Sequence, residues 1–316
     1  MSPTTHSSAN PTEHVGRGLL DRRLVFLLGK GGVGRSTLAA ALGVLAARRG
    51  LRAIVVEVSG RGDVPRLFER AGEPGVESEL APGLWTLDVD PRQALEEYLR
   101  DQLPLRVIAD AIGSSATFGY VAAATPGLRE LLTIGKIWEL AQPQRRTRSA
   151  QAYDVVIVDA PATGHGLALL EAPRTFANAA QVGPIARQGR RIAVTLRDRG
   201  VTALVAVATP EQAAVDELLE LRATLGQLDA VLANGVAPAR FSAGDATALR
   251  AAHARPELAA ATRDAVAVAI AAESLARAEQ LQLARLGPRV ELPFVAASPL
   301  SVTELEALAD RLVAAA

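Results

Sequence analysis

The sequence predicts an α/β fold: a doubly wound, mostly parallel sheet with helices on both faces, carrying a helical insertion. Three observations predict it. Short unbroken apolar runs recur along the chain, the form taken by parallel strands buried on both faces. Stretches with helical spacing separate them. A glycine-rich turn joins the first run to the first helix, and alternation of this kind builds doubly wound sheets.

Leu24–Leu28 (LVFLL) is the first strand, and the glycine-rich segment follows directly. Over Ser36–Arg49, Leu38, Leu42 and Leu45 share one helix face, and Gly50 stands where a helix ends on a glycine cap. Ala53–Val58 (AIVVEV) is the second strand, completing a βαβ unit with a right-handed crossover. Further strands are expected at Val155–Val158, Ala203–Ala208, Ala230–Ala233 and Val290–Leu292. Helices are expected at Pro210–Leu225, from about Pro256 to Leu286, and at Val302–Val313. Residues 63–150 break this rhythm, with helical patterns at Gln93–Ile112 and Leu128–Leu140. They read as a mainly helical insertion above the carboxyl edge of the sheet, where such folds bind ligands. The insertion either covers that edge or adds to the core. Residues 1–22 read as a disordered polar tail and residues 23–316 as one domain.

Composition removes several function classes. Apolar residues make up 49% of the 316 and charged residues 22%, which supports a sizeable core. A formal net charge of zero gives no cause to expect nucleic acid or an anionic membrane as partner. The absence of cysteine excludes disulfides, thiolate chemistry and cysteine-based zinc sites. No apolar run reaches the roughly 18 residues of a membrane span. The first twenty residues lack the features of a secretory signal, so a cytoplasmic location is expected. Among the 34 basic residues only Lys30 and Lys136 are lysine. In so arginine-rich a chain, each surviving lysine stands out.

The strongest motif is Gly29-Lys30-Gly31-Gly32-Val33-Gly34-Arg35-Ser36-Thr37. Its glycines let the backbone turn tightly and aim amides at one anion. The helix that follows adds free N–H groups and a positive dipole end. Ser36 stands where the phosphate-loop pattern places the hydroxyl that binds Mg²⁺. Arg35 occupies the position of the usual phosphate-binding lysine. It keeps the charge, but a bulky planar fork is not an equivalent donor to the β- and γ-phosphates.

These residues, with Lys30 after the first glycine, resemble the deviant phosphate loop of the ArsA family. That family includes arsenite-pump ATPases and the targeting ATPases for tail-anchored membrane proteins. The resemblance extends over roughly residues 23–314 and implies ATP and Mg²⁺ as cofactors and a nucleotide-gated dimer. It makes Lys30 a catalytic residue that crosses the dimer interface to the phosphates of the opposite subunit. Residues 29–37 become the nucleotide-binding loop. Asp159-Ala160-Pro161-Ala162-Thr163-Gly164-His165 is similar to the second switch, with Asp159 and Ser36 implied at the metal and His165 orienting the loop. Asn234 matches the asparagine that reads adenine, and an amide offers donor and acceptor side by side. Ala297-Ser298-Pro299-Leu300 is similar to the loop closing over the base, and Thr209-Pro210-Glu211 to a segment near the base and the dimer interface.

The first switch departs from the family. Relatives that hydrolyse carry an Asp-Pro there, and this chain places Ser59 at the Asp position. A serine cannot act as that base, so Asp63 or Glu57 is left to substitute. Glu57-Val58-Ser59-Gly60-Arg61, Pro126–Glu130 and Gly135-Lys136-Ile137 resemble the actinobacterial branch in which two ArsA-like paralogues occur together. That implies either a homodimer or a heterodimer with a paralogue. The client is not legible: no methionine follows Met1, whereas adaptable client grooves are Met-rich. Arg187, Arg190, Arg191, Arg197 and Arg199 read as a solvated helix face or a site for a phosphate or partner. Three activities remain in view. The first is an ATPase working with its paralogue, and the second a non-hydrolysing regulatory subunit. The third, a DNA- or membrane-binding partition-type ATPase, is disfavoured because Val302–Ala316 carries only Arg311 as a base.

Overall fold

The structure is a computed structural model, and it describes residues 15–58, 60–102, 127–145, 150–180, 183–297 and 299–314. Its centre is a sheet in the order β3-β4-β2-β5-β1-β6-β7-β8. The strands are β1 (Leu24–Leu28), β2 (Ala53–Glu57), β3 (Ser78–Ala81), β4 (Leu84–Asp88), β5 (Val155–Asp159), β6 (Thr202–Ala208), β7 (Ala230–Val236) and β8 (Val290–Pro293). Every neighbouring pair is parallel except β3 with β4. The interior strands β1, β2 and β5 are buried along their whole length, as their unbroken apolar runs require.

Helix α1 is Val15–Leu20, α2 is Arg35–Arg48, α3 is Asp63–Leu67, α4 is Pro91–Gln102 and α5 is Leu128–Leu140. Then come α6 (Thr163–Ala180), α7 (Pro184–Arg197), α8 (Gln212–Leu225), α9 (Ala243–His253), α10 (Ala260–Ala284) and α11 (Val302–Ala314). Helix α2 ends as anticipated: the Gly50 amide donates to Ala47 O and the Leu51 amide to Ala46 O, with Gly50 at φ 79°. A left-handed glycine closing two carbonyls in this way is a Schellman cap.

Two expectations are corrected. The expected tail contains α1, whose Leu19 and Leu20 are buried; apolar contact with the domain holds it there. The expected helical insertion also contains the strands β3 and β4, and β4 pairs in parallel with β2 from Ala53↔Leu84 to Glu57↔Asp88. The β4 sequence LWTLD carries Thr86 and Asp88, so it lacks the unbroken apolar signature of a central strand. Residues 103–112 of the anticipated Gln93–Ile112 helix lie outside the described residues. Ile134, Ile137 and Leu140 of α5 are fully buried, which makes this helix part of the core.

A buried ionic cluster fastens α5 to the sheet. Arg145, whose side chain is 1% exposed, pairs with Glu77 at 2.6 Å and Glu139 at 2.9 Å. The Tyr153 hydroxyl donates to Glu77 at 2.7 Å. Lys136 pairs with Glu97 of α4 at 2.7 Å, so the second rare lysine joins two helices.

Candidate functional site

The strand register brings the site together. Leu27 of β1 is level with Asp159 of β5, Asp159 with Glu57 of β2, and Glu57 with Asp88 of β4. Parallel strands all end at one edge, so three carboxylates stand in a row beside the loop that leaves β1.

That loop requires its glycines. Gly34, at φ 86°, lies so close to Asn234 that an added Cβ would sit 2.2 Å from its Nδ2. At Gly29 the Cβ would meet the Val207 carbonyl oxygen at 2.2 Å. No side chain caps α2, whose N-cap is Gly34. The amides of its first turn therefore have no partner within the helix and face the loop as anion donors.

Around this cradle the side chains are placed as follows. The Ser36 hydroxyl donates to Asp159 Oδ2 at 2.5 Å. Asp159 is buried, and its Oδ1 has no hydrogen-bond partner among the described residues; Arg35 Nε stands 3.8 Å from it. Arg35 donates through Nη1 to the carbonyls of Gly29 at 2.6 Å and Pro161 at 2.8 Å. Burial holds its guanidinium below the usual arginine range, and Arg61 adds to this while Asp159 and Glu217 oppose it. Burial likewise raises the Asp159 carboxyl, against the Ser36 hydroxyl and the charges of Arg35 and Arg61. A hydroxyl beside a carboxylate with one oxygen unsatisfied is a hard-oxygen donor set of the kind that suits hydrated Mg²⁺.

Lys30 is half-buried and has no hydrogen bond or ion pair among the described residues. Asn234 donates to Val33 O at 2.9 Å, so one N–H of its amide braces the loop, in the space left by the missing Cβ of Gly34. Pro299 is exposed and His165 is exposed in the first turn of α6, while Ser59 and Ser298 lie outside the described residues.

The first switch holds features that the sequence reading missed. Glu57 is fully buried, and its Oε1 accepts from the amides of Asp63 at 2.8 Å and Val64 at 3.1 Å. Its Oε2 has no partner among the described residues. Burial pushes this carboxyl up to about 7, opposed by the two amides and reinforced by Asp88 and Asp159. Asp88 accepts from the Gly60 amide at 3.2 Å. The Asp63 carboxylate turns to Arg66 at 3.4 Å. Asp88 was legible only to a reading that recognised β4, whose apolar run Thr86 interrupts.

A family model described as "Anion-transporting ATPase", of the ArsA type, matches residues 22–187. The chain is 31% identical over 254 residues to ATPase BagA of Mycobacterium tuberculosis (strain ATCC 25618 / H37Rv), covering 78% of this chain and 74% of the relative. It is 28% identical over 245 residues to the arsenical pump-driving ATPase of Escherichia coli, covering 71% of this chain and 41% of that protein. With ATPase GET3 of Chaetomium globosum it shares 25% identity over 170 residues, or 52% and 47% of the two chains. No helix among the described residues is long and apolar enough to cross a membrane.

Proposed function

Because this chain belongs to the ArsA family of anion-transporting ATPases, alongside its mycobacterial relatives, we propose that it binds Mg·ATP at residues 29–37 and works as a nucleotide-gated dimer. The observation that carries this is the uncapped start of α2 behind a loop in which Gly29 and Gly34 leave no room for a side chain. Such a loop offers several amides to one anion without rearrangement. Ser36 and Asp159 are the residues that would hold Mg²⁺, and the metal would neutralise charge on the β- and γ-phosphates. Lys30, without an internal partner among the described residues, is available to a neighbouring subunit. Asp63, four positions after the serine that replaces the family's Asp, would stand in as the acid of the first switch, although its carboxylate faces Arg66. Pro299 lies in the loop that closes over the base.

We further propose that hydrolysis takes place with a paralogous subunit. This chain gives Lys30 to the partner's site, while Arg35 weakens its own. A regulatory, non-hydrolysing role is the second reading. The Arg35 guanidinium favours it, because its Nη1 is already engaged by two backbone carbonyls. Calorimetry with Mg·ATP and turnover assays, on the chain alone and with co-purified ArsA-like protein, separate the readings. Binding, with turnover that appears with the partner and falls in Lys30→Ala, supports the first. Binding without turnover in either mixture supports the second. No binding in any mixture would falsify the nucleotide site itself.

A further inference from the structure

Two buried carboxylates at the carboxyl edge of the sheet each keep one oxygen without a hydrogen bond among the described residues: Asp159 Oδ1 and Glu57 Oε2. Folded proteins rarely leave such atoms unpaired, and a water or an ion commonly completes the exceptions. The two residues are also neighbours. Glu57 and Asp159 are level on the adjacent parallel strands β2 and β5, about 4.8 Å apart across the ladder, with side chains on the same face of the sheet. Asp159 in turn takes the Ser36 hydroxyl at 2.5 Å, so Glu57 stands one strand away from a direct contact with the phosphate loop. Its side chain is held in place. Oε1 accepts from the amides of Asp63 at 2.8 Å and Val64 at 3.1 Å, which open α3, and α3 packs on α2. With Oε1 fixed, Oε2 is fixed as well. Nearby groups leave the two free oxygens unmet. Arg35 Nε stands 3.8 Å from Asp159 Oδ1, too far for a hydrogen bond, and its Nη1 serves the Gly29 and Pro161 carbonyls. On the other side of Glu57, the level residue is a third acid, Asp88, whose Oδ1 takes the Gly60 amide.

We propose that Glu57 is a further residue of the Mg²⁺ site, its Oε2 and Asp159 Oδ1 together accepting hydrogen bonds from the water shell of the ion that accompanies a bound nucleotide. Mg²⁺ gives up its waters reluctantly and is usually held by one or two carboxylates together with phosphates. Acceptors beyond the direct ligands then set much of its affinity. A hydrated divalent ion satisfies both free oxygens and offsets the charge of neighbouring acids. This rests on the nucleotide-binding reading above and adds a residue from β2 to the pair Ser36 and Asp159.

The test uses Mn²⁺ as a spectroscopic stand-in for Mg²⁺, titrated by electron paramagnetic resonance at pH 8 with a saturating non-hydrolysable ATP analogue. It compares the wild type with Glu57→Gln and Glu57→Ala, with thermal melts to confirm folding. Glutamine keeps an oxygen for the amides of residues 63 and 64 and puts an NH₂ group in place of the free oxygen, and that group cannot accept from water. Alanine removes the acceptor outright. The expected result is an Mn²⁺ affinity at least about tenfold weaker in Glu57→Gln, the loss typical of a missing partner around a metal site, and at least as weak in Glu57→Ala. Calorimetry with the analogue in EDTA supplies the second readout, and there Glu57→Gln should bind within about threefold of wild type. A smaller loss of Mn²⁺ affinity, or an equal loss of analogue affinity in EDTA, overturns the assignment of Glu57 and leaves the nucleotide site standing. A wild type that binds no analogue, with or without Mn²⁺, overturns the underlying reading instead.

Discussion

The Arg35 guanidinium donates to the Pro161 carbonyl at 2.8 Å, so a side chain of the phosphate loop is bonded directly to the segment that follows Asp159. The same nitrogen also holds Gly29 O, and the two contacts tie the loop to the segment after β5. A charged donor contributes about 1.5–3 kcal/mol per bond. Arg35→Ala, which removes both, should therefore lose about 3–6 kcal/mol in urea denaturation. Arg35→Lys, whose shorter ammonium cannot span both carbonyls, should lose about half as much. It should also speed hydrogen exchange over residues 160–166. Wild-type stability in Arg35→Ala would show that the tie carries no weight.

Glu57 sets a pH dependence that its environment dictates. Its carboxyl titrates near 4.5 in the unfolded chain and near 7 when folded. Between those values the unfolded chain gives up the proton while the folded one keeps it. Stability contributed by the protonated acid is thus present below about pH 4.5, is lost as pH rises, and stays lost above about pH 7. At 1.36 kcal/mol per unit the loss is on the order of 3 kcal/mol. Glu57→Gln mimics the protonated acid, keeping an oxygen for the amides of residues 63 and 64. It should match wild type near pH 4.5 and exceed it by that amount at pH 8 in denaturant melts. A gap that does not change with pH would remove the buried charge as its cause.

What the sequence made legible, and what it did not, follows from how each feature is encoded. The strands β1, β2 and β5 and the loop after β1 announce themselves through apolar runs and glycines, because burial on both faces and positive φ tolerate few alternatives. Strand β4 does not, since Thr86 and Asp88 break its apolar run. The pairing of Ser36 with Asp159 was foreseeable from motif positions far apart in the chain. The use of Glu57 as an amide clamp was not, because hydrogen bonds to backbone leave no residue-type signature at the partner. For the same reason Arg35 could be recognised as unusual without its carbonyl partners being known.

Asn234 offers a discrimination between two roles. Its amide holds the Val33 carbonyl at 2.9 Å, a contact that braces the loop. Asn234→Ala removes one hydrogen bond of about 1 kcal/mol. Affinities for Mg·ATP and Mg·GTP should then fall by the same factor, about fivefold. A fall confined to ATP would return the residue to base recognition.

The buried Arg145 makes a prediction remote from the nucleotide. It is enclosed by Glu77 and Glu139, with the Tyr153 ring beneath its guanidinium and the Tyr153 hydroxyl on Glu77. Replacing both partners of such a pair with apolar groups can be neutral, but removing one strands the other's charge at a cost of about 3–5 kcal/mol. Arg145→Met, close in length and uncharged, should therefore destabilise the protein by about that much in urea melts at pH 7. The cause can be separated from packing by acid. Arg145 holds the Glu77 carboxyl below its ordinary range, so that contribution is present above the unfolded value and lost as pH falls. In Arg145→Met the stranded carboxylates can take up protons instead, and the deficit against wild type should narrow below about pH 5. Adding Glu139→Gln to Arg145→Met should recover part of the loss at pH 7, because the glutamine carries no charge. A deficit that neither acid nor the second substitution reduces would assign the effect to lost packing around α5.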